Sequence, residues 1–238
     1  MSVIDLAHAR DIPVWVDDPV LRAIARHSGL PAFSTPALID YLAERQTIAI
    51  SRRETTVRCM IKGRVGDLPL DEGRLLELAE DERWMPGAVA AVIARAAAWA
   101  GEHRAIALYR CLLSEAERNG TAPVGQWLYS AVAGAATAAN TPAAASRLAA
   151  ILLAQTIHDL DARGESVAQL LAAARRALYD CDDVDSEAAP DPLPLCSRLL
   201  SASASDRVLP HLVARDVLTR FAALPDHDRL AVTQALLE

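Results

Sequence analysis

The chain has 238 residues, a formal net charge of −7, and 52% hydrophobic residues of which few are aromatic. That length allows one large domain or two modest ones. An acidic chain is not drawn to nucleic acid by its overall charge, so such a role requires a local basic patch. The four cysteines, Cys59, Cys111, Cys181 and Cys196, form no C-x-x-C pair and no metal-type spacing with the histidines. Nothing after Met1 reads as a signal peptide, and the longest apolar run, residues 88–100, is interrupted by Arg95. A cytoplasmic chain with reduced thiols and no membrane partner is expected.

With aromatics at 4%, the core must be filled by Ala, Leu and Val. Ala-Leu-Arg richness favours helix, because these residues lose little on entering one. The predicted fold class is therefore mainly α. A small α/β piece with two parallel strands is expected at the N-terminus, followed by a helical bundle or an array of helical hairpins.

In chain order, residues 3–10 read as the end of a helix and Ile12-Pro13-Val14-Trp15-Val16 as a short strand, stopped by Asp17-Asp18-Pro19. Val20, Leu21, Ile24 and Ala25 recur at helical spacing until Gly29, a suitable residue to end a helix. Pro31-Ala32-Phe33-Ser34 reads as a second strand. Thr35-Pro36 then opens a helix, with Leu38, Ile39 and Leu42 on one face. The order α-β-α-β-α with a short crossover helix predicts parallel strands and a right-handed connection.

Residues 47–70 form a connector in which 47–66 mixes β-branched residues with Arg52, Arg53, Arg58, Lys62 and Arg64, and so fits strand or helix. Helices are expected over 71–82, 86–100, 102–118, 124–139, 142–161, 165–179, 193–203, 207–223 and 226–237. The predicted organisation is residues 1–46, the connector 47–70, a helical-hairpin domain 71–182, and an acidic linker with C-terminal helices over 183–238. Asp180, Asp182, Asp183 and Asp185 fit a solvated linker, since Val184 and the lack of a glycine break a calcium-loop pattern. The histidines are scattered, and no G-x-S-x-G, P-loop or G-x-G-x-x-G is present. Trp84, Trp99, Trp127, Tyr109, Tyr129 and Tyr179 fall at helical spacings and read as packing residues.

Two stretches carry resemblances. Residues 12–25 followed by Gly29-Leu30-Pro31-Ala32-Phe33-Ser34-Thr35-Pro36-Ala37-Leu38 are similar to the closing part of PIN-like domains: a strand, an acidic pair, a helix bearing Leu-Arg, a glycine, a strand ending in Ser-Thr, and a final helix. Ala97-Ala98-Trp99-Ala100-Gly101 with Arg104 to Tyr109 resembles a tetratricopeptide-type hairpin. Asp67-Leu68-Pro69-Leu70 and Trp84-Met85-Pro86-Gly87 look like bacterial proteins that join a PIN-like domain to helical repeats.

The first resemblance implies a metal-dependent ribonuclease in which Mg²⁺ or Mn²⁺, held by three or four carboxylates, activates water against a phosphodiester. Asp17 and Asp18 are the implied catalytic and metal-binding residues, Ser34 and Thr35 their support, and Arg22 lies beside them as a candidate contact to RNA; Arg52 and Arg53 belong to the basic cluster 52–64, which fits contacts to an RNA backbone or a solvated, salt-bridged surface. Strand geometry points to the same place, since ligands sit at the carboxyl ends of parallel strands. Asp18-Pro19 also reads as an ordinary helix cap. The remaining acids of the family pattern have no counterpart, and the one expected at Ser2 or just upstream is missing from that position. The chain is thus expected to be a truncated or degenerate PIN-like protein that cleaves or binds RNA. The alternative is a non-catalytic helical scaffold for a protein partner.

Overall fold

The computed structural model describes residues 3–63, 72–120, 123–159, 166–181, 189–205 and 210–237. The chain divides into two compact units, residues 1–74 and 75–238. Among the described residues it is mainly helical, with two short strands, and no helix is long and apolar enough to cross a membrane.

In the first unit, helix α1 (Val3–Arg10) leads to β1 (Val14–Trp15), α2 (Pro19–His27), β2 (Ala32–Phe33), α3 (Thr35–Glu44) and α4 (Ile50–Lys62). The strands pair in parallel, Val14 beside Ala32 and Trp15 beside Phe33, as expected. Strand alternation decides what is buried. Val14 and Ala32 face a small core with Ala7, Ala25 and Leu30, while Trp15 is 58% exposed. Gly29, at φ +80°, turns the chain from α2 into β2 at no steric cost.

The connector contains a helix, α4. Its apolar residues Val57 and Ile61, one turn apart, are buried. The β-branched Thr55 and Thr56 fit because their hydroxyls bond back to the carbonyls of Ser51 and Arg52. Arg53 ties α4 to α3 through Asp40, with Nε 2.6 Å from Oδ1.

The second unit runs α5 (Glu72–Asp81, whose first residues lie in the unit before), α6 (Ala88–Ile93), a 3₁₀ turn (Ala96–Trp99), α7 (Glu102–Arg118), α8 (Val124–Ala138), α9 (Pro142–Asp159), α10 (Val167–Tyr179), α11 (Pro192–Ser205), α12 (Pro210–Arg220) and α13 (Asp226–Leu237). The alanine-rich α8 packs between α9 and α10 and against the 3₁₀ turn, so small side chains set the spacing of the helices.

The 86–100 stretch, expected as one helix, is broken after Ile93. The Trp99 indole N–H takes the Ile93 carbonyl at 2.8 Å, and Arg95 is extended. Gly134 of α8 presses against this break: a Cβ there would lie 2.1 Å from the Ile93 oxygen. The tetratricopeptide-like stretch 97–109 consequently has a 3₁₀ turn where the hairpin would have its first helical arm.

The aromatic residues divide. Trp84, Trp99, Trp127 and Tyr109 are buried as expected, whereas Tyr179 is exposed. The polar ends of Trp99, Trp127 and Tyr109 are satisfied. Trp127 donates to the Trp84 carbonyl at 3.0 Å, and the Tyr109 hydroxyl meets that of Thr156 at 2.8 Å. Most of the acidic segment (182–188) lies outside the described residues, as do Arg64 and Asp67-Leu68-Pro69-Leu70. Its described ends are held: Asp180 accepts from Tyr129, and Asp191 pairs with Arg175.

Candidate functional site at the carboxyl edge of the sheet

The carboxyl ends of β1 and β2 bring Asp17 and Thr35 together. Asp17 Oδ1 accepts the Thr35 backbone N–H at 2.6 Å, and Oδ2 accepts the Thr35 hydroxyl at 2.7 Å. The same hydroxyl accepts the Trp15 indole N–H at 3.0 Å. The result is a directed chain from indole through hydroxyl to carboxylate. Thr35 is the first residue of α3, and Ser34 before it makes no side-chain cap. Asp17 therefore supplies from β1 the acceptor that a helix N-terminus ordinarily takes from its own N-cap residue. The two Thr35 hydrogen bonds, backbone first, hold the exposed Asp17 carboxyl below the usual carboxylate range, with smaller contributions from Trp15 and the Arg22 charge.

Asp18 does the equivalent locally. Its Oδ1 accepts from the N–H groups of Val20 and Leu21 at 2.8 and 2.9 Å, with Pro19 at the first helical position. Each aspartate of the pair thus caps a different helix, Asp18 its own and Asp17 the next one.

Two arginines of α2 fold back onto the strands. Arg22, expected to meet RNA, is only 7% exposed and donates to the Val16 carbonyl at 3.0 Å. A side chain folded onto the strand end is not positioned to track a phosphate backbone. Arg26, one turn later, donates from Nε and Nη2 to the Ala32 carbonyl on β2. Arg53 is engaged by Asp40, while Arg52 is exposed. Ser34 is buried. Sequence reasoning missed Trp15 and Arg26 as members of this network. The signals were there: Trp15 alternates with the inward Val14, and Arg26 follows Arg22 at the i,i+4 spacing of one helix face.

Magnesium or manganese would need several hard oxygen donors converging on one point. Here both Asp17 oxygens accept hydrogen bonds from Thr35, and one Asp18 oxygen accepts two amides. Among the described residues no group of three or more His, Cys, Asp or Glu side chains converges as a metal site would. Of the three or four carboxylates expected around such an ion, these residues supply two, and both are used as helix caps. No protein-family model, curated protein or solved structure matches the chain.

Proposed function

We propose that the protein binds a partner through its helical unit and does not cleave RNA, with the N-terminal α/β unit serving as structure. The observation that carries this reading is the engagement of both Asp17 oxygens by Thr35, which gives the most suggestive carboxylate of the chain a capping role. The resemblance to PIN-like domains is then one of local fold, with the acidic pair kept for helix capping.

A surface for a protein partner lies between α12 and α13. It is an open cleft lined by Leu218, Phe221, Leu230 and Val232, with Asp226 and Arg229 at its rim. Leu218 and Leu230 are exposed there, as the apolar centre and polar rim of an interface would be.

The test is RNA hydrolysis by the full chain in Mg²⁺ and in Mn²⁺, beside an Asp17→Asn, Asp18→Asn variant. No metal-stimulated cleavage is expected from either. Cleavage by the wild type that disappears in the variant would overturn the reading and restore the nuclease. A stoichiometric protein partner, once captured, should be retained by that variant and lost on changing Leu218 and Leu230 to Asp.

A second reading, RNA binding without cleavage, is favoured by α4. Arg52, Arg53, Arg58 and Lys62 share this helix with the single acid Glu54, in a chain that is otherwise acidic. On the preceding helix Tyr41 is half-exposed beneath Arg45, whose guanidinium lies 5.4 Å from the ring centre. Salt-sensitive binding of a single-stranded RNA oligonucleotide that weakens in Arg52→Ala would support it.

A further inference from the structure

We draw no further inference here: the strongest candidate, the apolar face that α2 turns outward with Val20, Leu21 and Ile24 exposed while Arg22 and Arg26 fold back onto the strands, carries nothing because nothing in the structure shows what covers it.

Discussion

Thr35 occupies both oxygens of the Asp17 carboxylate, its backbone N–H on Oδ1 at 2.6 Å and its hydroxyl on Oδ2 at 2.7 Å. This is a capping interaction made through space by a residue eighteen positions away in sequence. It joins the end of β1 to the start of α3 and so fixes where the chain leaves the sheet.

Thr35→Val keeps the backbone donor and removes the hydroxyl from both Asp17 and Trp15. Losing an exposed hydrogen bond to a charged group is expected to cost about 1 kcal/mol, read from urea unfolding at neutral pH. The pH dependence has a definite sign. Asp17 titrates below the ordinary aspartate value of 3.8 when folded. Its contribution is therefore fully present above that value and is lost as pH falls through the lower, folded one. The stability gap between wild type and Asp17→Asn should be widest near neutrality and should close in acid.

Much of this unit was legible in the sequence, because its signals are local. Asp18-Pro19 marks the start of α2, Gly29 its exit, and alternating Val14 and Trp15 a strand with one buried face. What was not legible depends on the path of the chain. Asp17 reads as half of an acidic pair until β1 and β2 lie side by side, and only then is Thr35 within reach. Arg22 reads as a surface cation until the crossover of α2 turns it onto Val16. The break after Ile93 was hidden for a similar reason, since its cause, Gly134, sits on another helix. α4 was ambiguous because β-branched residues weaken a helical signal, which the buried Val57 and Ile61 then override.

Gly134→Ala tests that close approach. An added methyl would meet the Ile93 oxygen at 2.1 Å and the Trp99 indole nitrogen at 2.5 Å. The Ile93 oxygen belongs to backbone and has little room to retreat. Although alanine is the better helix former, the substitution is expected to destabilise by about 1–3 kcal/mol, the range for overpacked cores. A shift of the urea midpoint with unchanged slope would confirm it, and an unchanged or higher midpoint would count against the packing described.

Trp127→Phe addresses the corner where α5 hands over to α6. Arg83 and Trp84 both adopt left-handed backbone, at φ +53° and +58°. Such residues persist only where their surroundings hold them, and here the Trp127 indole donates to the Trp84 carbonyl at 3.0 Å. Phenylalanine keeps much of the buried ring but leaves that carbonyl without its donor. The expected loss is about 1–3 kcal/mol. Amide exchange over residues 82–88 should accelerate more than in α9, because the change falls on the corner.

Arg175 links three parts of the second unit. Its Nη1 and Nη2 reach the two oxygens of Asp228 at 3.1 and 2.7 Å, joining α10 to α13, and it also pairs with Asp191 just before α11. Asp228 is 4% exposed, so it depends on this partner, whereas Arg175 retains Asp191 if Asp228 is changed. The two halves of the pair should therefore be unequal. Asp228→Asn is expected to cost about 1–2 kcal/mol, below the usual loss for a broken buried pair because the guanidinium is partly solvated and keeps a carboxylate. Arg175→Met leaves a buried carboxylate whose remaining charged neighbour among the described residues is His227, 3.3 Å away, and should cost more. Hydrogen bonding from Arg175 holds the folded Asp228 pKa below 3.8, so its stabilisation is present above that value and lost as pH falls through the lower one. Without Arg175, protonation relieves the stranded charge, so the deficit of Arg175→Met should shrink in acid. Urea unfolding of both variants across the acid range reads this directly; equal deficits, or one for Arg175→Met that grows in acid, would show that the triad does not hold α10, α11 and α13 together.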